Sequence, residues 1–206
     1  RARRAWKTAA ASWAFGAFSL RRYVETLSEL ARHVQIEIRS YASDETDELV
    51  LHEIVSNPPD VVGFTCQPWN HSDHSKLSRL IRRLLPEVLV LHGGPMVIEI
   101  EQYLKRHGPE TLSIAFEGEA EHSFAEFLSH LVYKSPELAE ISGIGYFDAE
   151  GSPHVTRERE ALDVSALPAV MTPENLREMG SYVLYETSRG CPFQCSFCNW
   201  GSQKAR

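Results

Sequence analysis

Asp60-Val61-Val62-Gly63-Phe64-Thr65-Cys66 is a short, continuous apolar run that ends abruptly at Gln67-Pro68-Trp69-Asn70. A run this short, rich in β-branched residues, predicts a strand buried on both faces of a parallel sheet. Two similar runs follow. Residues 87–92 (EVLVLH) are closed by Gly93-Gly94-Pro95, and residues 111–116 (TLSIAF) by Glu117-Gly118-Glu119. Amphipathic spacing predicts helices over 75–84, 98–106 and 120–132. Upstream, residues 12–32 and 44–56 read as helices, the second capped by Asp44, and 34–41 alternates as a strand does. No first strand is evident before the helix at 12–32. Strand–helix repetition predicts an α/β fold, a doubly wound, mostly parallel Rossmann-like (flavodoxin-like) sheet. The loops at 67–74, 93–97 and 117–119 follow strand C-termini, the edge where such sheets bind ligands.

The composition narrows the function classes. The chain has 206 residues, 43% hydrophobic and 24% charged, which is globular composition. Lysines and arginines number 21 against 28 acids, giving 21 − 28 = −7, a poor balance for nucleic-acid binding. No apolar run reaches the ~20 residues that span a bilayer. Arg1, Arg3 and Arg4 precede the apolar segment Ala9–Phe18, but no small-residue cleavage site follows, so a signal peptide is not expected. With neither targeting signal nor membrane span, and with clustered thiols, the expected compartment is the cytoplasm.

From Ser135 the pattern changes. Residues 143–156 read as a hairpin turning at Glu150-Gly151, and 157–181 as an irregular connector. A strand predicted over 182–187 leads into Cys191-Pro192-Phe193-Gln194-Cys195-Ser196-Phe197-Cys198. A disulfide scaffold would spread its cysteines, whereas C-x3-C-x2-C asks for a metal. Closed zinc sites and ferredoxin clusters take four ligands. Three close thiolates leave one cluster iron to an exogenous chelator. A zinc knuckle completed by a histidine or Cys66 is the simpler alternative.

The stretch from Glu186 through Arg189-Gly190 and the three cysteines to Asn199-Trp200-Gly201 resembles the signature of radical S-adenosylmethionine enzymes. The resemblance implies that Cys191, Cys195 and Cys198 bind a 4Fe-4S cluster. S-adenosylmethionine would chelate the fourth iron, with Phe197 beside the adenine and Asn199 and Trp200 in the cofactor-binding flank. The open sheet before the signature resembles the cobalamin-binding subclass of that family. Thr65, Cys66, Pro68, Trp69 and Asn70 look like its third-strand loop, Gly93, Gly94 and Pro95 its fourth-strand loop, and Glu117, Gly118 and Glu119 its fifth-strand turn. Adjacent glycines allow positive φ and close approach to a large ligand. Thr65 and the amides of 93–95 and 117–119 are expected to bond the nucleotide tail or the corrin. Cys66 reads equally as a small buried hydrophobe.

The D-x-H-x-x-G motif that ligates cobalt in other cobalamin enzymes is missing, since Asp73 and His74 are adjacent. The resemblance therefore implies cobalamin held without a histidine ligand, with Trp69 or Asn70 facing its lower side. His71 and His74 are the alternative ligands. The remaining histidines read as structural or surface groups. The implied organisation is a cobalamin domain over 1–134, a linker with a hairpin over 135–181, and the start of a radical barrel over 182–206. The implied reaction is methyl transfer to a carbon centre through methylcobalamin and a 5′-deoxyadenosyl radical. A small-molecule or peptide would be the substrate and a reductase the electron donor. A barrel needs further strand–helix units, so this stretch alone is not expected to be a complete catalyst. A non-catalytic cobalamin module and a radical enzyme that has lost cobalamin are the competing readings.

Overall fold

The computed structural model describes residues 14–41, 45–179, 183–191, 193 and 195–197. Three parallel strands form the centre: β1 (Val61–Thr65), β2 (Leu89–Gly93) and β3 (Ile114–Phe116). A hairpin of β4 (Ile144–Phe147) and β5 (Pro153–Val155) extends the sheet antiparallel to β3, in the order β1-β2-β3-β4-β5. The hairpin expected inside a linker is thus part of the sheet. The free edge of β3 offers the ladder partners, and Ile144 buries its side chain beside Phe116 and Phe127.

Helices cover both faces. On one side α4 (His71–Leu84) and α5 (Ile100–His107) meet Val90 and Ala115 through Ile81, Ile100 and Leu104. On the other, α6 (Glu121–Tyr133) buries Phe127 on Leu91, Ile114 and Phe116. Alternation along β2 and β3 splits these two cores between the faces. Helices α1 (Phe15–Thr26) and α2 (Ser28–Ala31) lie over α6, with Val24 and Leu30 against Ala125 and Leu128. Helix α3 (Asp47–Ser56) lies beside α4, and α7 (Pro173–Met179) closes the connector. A Cβ added at Gly145 of β4 would stand 2.7 Å from Leu104 Cδ1 and 3.0 Å from Ile100 Cγ1, so glycine lets α5 approach this strand.

Several expectations change. Residues 34–41 alternate in burial as a strand would, and Val34 and Ile36 pack on the α1–α6 cluster. Yet the segment is not a strand, because among the described residues no backbone pairs with it. Residues 183–189 likewise form no strand, and Val183, Leu184 and Tyr185 are exposed. Strand β1 is only half-buried, because it is the terminal strand of the described sheet. Thr46 caps α3 by accepting from the Leu49 N–H, while Asp44 lies outside the described residues. The helix expected from 75 begins at His71. Ser75 and Ser78 donate to the carbonyls of His71 and His74 one turn back, so their hydroxyls are satisfied within the helix.

Candidate cofactor-binding site

The loops after β1, β2 and β3 meet at the carboxyl edge of the sheet. The first two are bonded to each other. The Cys66 N–H donates to Gly93 O at 2.7 Å, and the Met96 N–H to Cys66 O at 3.1 Å. This closeness depends on Gly94, at φ +98°. A Cβ there would lie 3.0 Å from Cys66 O and 3.2 Å from Cys66 N. Asn70 organises the first loop: its Oδ1 accepts from the Gln67 N–H at 2.8 Å and its Nδ2 donates to Thr65 O at 3.2 Å. Pro68 and Trp69 are left at the surface, with Trp69 63% exposed. Pro95 is exposed, and Gly93 is half-buried at the end of its ladder.

At the third loop, the Glu117 N–H donates to Gly143 O at 3.1 Å, so this amide is already engaged. Burial pushes the Glu117 carboxyl up, and the backbone N–H groups of Glu99 and Ile100 at the start of α5 pull it partly back down. Gly118 turns at φ +74°, with no heavy atom within 4 Å of where a Cβ would be. Glu119 accepts from the Leu162 N–H at 3.0 Å and stands 3.9 Å from Arg189.

Beneath this edge lies a hydrogen-bonded chain that the sequence did not reveal. Ser78 donates to His74 O at 2.6 Å, so its Oγ must accept from His92 Nε2–H at 2.8 Å. That leaves His92 Nδ1 unprotonated, accepting from the Tyr103 hydroxyl at 2.8 Å. Tyr103 in turn accepts from His71 Nε2 at 3.1 Å. His92 is fully buried, and burial holds it neutral down to about 3. Burial lowers His74 and His107 to about 4 and lowers His71 as well. Cys66 is buried beside Tyr103, and burial pushes its thiol up to about 11. It serves the core with its side chain and the edge with its backbone.

The two alternative cobalt ligands differ in their surroundings. His71 is bonded through Nε2 to Tyr103, and the ring of His74 lies against Phe64 with its Nδ1 buried and unpartnered. Among the described residues no three His, Cys, Asp or Glu side chains converge as a metal site. Cys191 is half-buried and Cys195 exposed, both as free thiols, and Phe197 is 90% exposed. Cys198, Asn199 and Trp200 lie outside the described residues. A separate cleft of about 470 Å³ lies between α1, residues 34–36 and α7. The bonds from Arg21 to Asn175 and Glu178 cross there, away from the strand ends.

Glycine-rich loops over the carboxyl ends of parallel strands define a doubly wound domain that takes a ligand across that edge. The chain belongs to the B12 binding domain family, whose profile matches residues 21–128, just over half of it. It is 32% identical over 154 residues to the cobalamin-dependent radical SAM methyltransferase TokK of Streptomyces tokunonensis, covering 70% of this chain and 22% of that protein. It is 26% identical over 171 residues to the hopanoid C-3 methylase of Methylococcus capsulatus, covering 82% and 32%. Its fold matches apo OxsB, a cobalamin-dependent S-adenosylmethionine radical enzyme, with TM-score 0.68 at 19% identity, over 89% of this chain and 25% of that one. The chain therefore spans between a fifth and a third of the length of these relatives. No helix among the described residues is long and apolar enough to cross a membrane.

Proposed function

We propose that this chain is the cobalamin-holding part of a radical S-adenosylmethionine enzyme that transfers a methyl group to a carbon centre of a small-molecule or peptide substrate. The observation that carries the reading is the presence of a B12 binding domain and the Cys191-x3-Cys195-x2-Cys198 spacing in one chain. Residues 1–134, with the hairpin of β4 and β5 completing their sheet, would hold cobalamin, the rest of 135–181 would link, and 182–206 would begin the radical domain, with a reductase as electron donor.

The residues present fit the groups. Gly118, at the carboxyl end of β3, has open space where a side chain would stand, and Trp69, in the loop after β1, is an exposed ring. When bound, cobalamin supplies a transferable methyl group, and S-adenosylmethionine at an iron–sulfur cluster supplies the radical that opens a substrate C–H bond. Asn70 would hold the Trp69 loop in shape for the cofactor, and Gly94 would keep the first two loops together. Burial keeps His71 and His92 neutral, and their bonds to Tyr103 tie both rings into the core. Cys191, Cys195 and Cys198 would supply the cluster thiolates.

Anaerobic reconstitution with iron, sulfide and hydroxocobalamin, followed by desalting, tests the reading. Retained corrin bands with about four irons per chain and a broad band that bleaches on reduction are expected. Stripping the iron with a chelator should remove that band and leave the corrin bands in place. Iron without corrin would mean an emptied domain, and zinc alone would overturn the assignment.

A further inference from the structure

Residues 183–188 are exposed, and the first side chain of this segment to turn inward is Arg189, 12% exposed. Its Nη2 donates to Glu121 Oε1 at 2.7 Å, its Nε to Glu186 at 2.8 Å, and its Nη1 stands 3.9 Å from Glu119. The Glu121 side chain is only 5% exposed and also accepts from the Ser19 hydroxyl at 2.7 Å. Glu119 accepts from the backbone of Leu162. One guanidinium thus joins α1, the turn at 117–121, the connector and the cysteine-bearing segment.

We propose that Arg189 is a positioning residue: by engaging Glu121 and Glu119 it fixes the cysteine loop against the carboxyl edge of the B12 binding domain. The part of this that concerns cofactors rests on the function proposed above. The contact is hard to give up, because a departing Arg189 leaves Glu121 as a buried, unpaired charge. The planar fork suits several carboxylates at once, which a lysine does not match. Gly190 turns the chain immediately afterwards, at φ +76°. Cys191 is two residues on, so its Cα stays within about 7 Å of the anchored residue. Cys191, the first cysteine of the motif, is therefore tethered to the residue that the turn at 117–121 holds.

The test compares R189A, R189K, E121Q and the double variant R189A/E121Q in the full chain. The first readout needs no cofactor: chymotrypsin cleavage after Tyr185, alongside the urea midpoint. Cleavage about tenfold faster is expected in R189A and E121Q, the loss of one charge-assisted bond, with R189K intermediate. The double variant removes both partners, so its urea midpoint recovers towards the native value while cleavage stays fast. A double variant that recovers both overturns the proposal. The second readout uses protein loaded with cobalamin and cluster. Magnetic broadening between cob(II)alamin and the reduced cluster should weaken in the double variant while both groups are retained, and unchanged broadening overturns the proposal. If the parent chain retains no corrin, the function proposed above fails, and the cleavage result alone decides the role of Arg189.

Discussion

Lowering the pH from 7 to 4.5 is expected to unfold this protein, through histidines rather than carboxylates. Unfolded, each imidazole takes a proton near pH 6.5. Folded, burial holds His74 and His107 neutral to about 4 and His92 to about 3. Across that window the unfolded chain binds more protons. Stability is therefore complete above pH 6.5 and drains as pH falls towards 4. A proton excluded from the fold is worth about 1.4 kcal/mol per pH unit, so His74 and His92 together reach about 3 kcal/mol per unit, and the less enclosed His107 adds a smaller share. Against a total of about 5–15 kcal/mol, the fold should fail between roughly pH 5 and 4. Protonation would also reverse the chain of donors: a His92 carrying two N–H groups cannot accept from Tyr103. Urea midpoints at pH 7, 6, 5 and 4.5 measure the slope. His92→Gln should flatten it by about one histidine's share, although it starts lower at pH 7. A midpoint that stays level from pH 7 to 5 would contradict the account.

The second large effect concerns Gly94. Gly94→Ala should cost about 2–4 kcal/mol, from left-handed strain and overpacking together. The Cβ would press on Cys66 O and N at 3.0 and 3.2 Å. Those atoms cannot retreat, because they are bonded to Met96 and Gly93. Gly118→Ala is the control. Its φ of +74° carries the backbone strain, but nothing lies within 4 Å of the new methyl. About 1 kcal/mol is expected there. Thermal and urea unfolding of both variants measure the difference. Equal losses would show that the approach of the first two loops is not what Gly94 protects. In the same variants, corrin retention should fall at least about tenfold for Gly94→Ala, the equivalent of 1.4 kcal/mol at the site.

Local chemistry made part of this legible in the sequence. The apolar runs around Val61–Thr65, Leu89–Gly93 and Ile114–Phe116 announced strands, though the first is only half-buried, and their glycine-rich ends announced the ligand edge. Pairing was not legible, because a ladder needs a neighbour that side-chain alternation does not name. Residues 34–41 keep the alternation of burial without a ladder, and residues 144–147 joined a sheet rather than a linker. Long-range polar contacts were equally hidden. His71 meets Tyr103 across 32 positions, and Glu121 meets Arg189 across 68. Arg189 stood in the sequence only as a flank of the cysteine motif. The acids at 117 and 119 looked like ligand contacts. Their neighbours now include a helix start and the connector backbone.

The buried Cys66 separates the described thiols into two chemical populations. Its thiol is fully buried and pushed up to about 11, so at neutral pH it offers neither access nor thiolate. Cys195 is exposed and Cys191 half-buried, so both are open to alkylation as long as nothing ligates them. A maleimide count on the native chain therefore reports whether the cysteine loop is occupied. The extra equivalent that appears in denaturant reports the integrity of the sheet edge. One reagent thus reads the two halves of the proposed cofactor system independently.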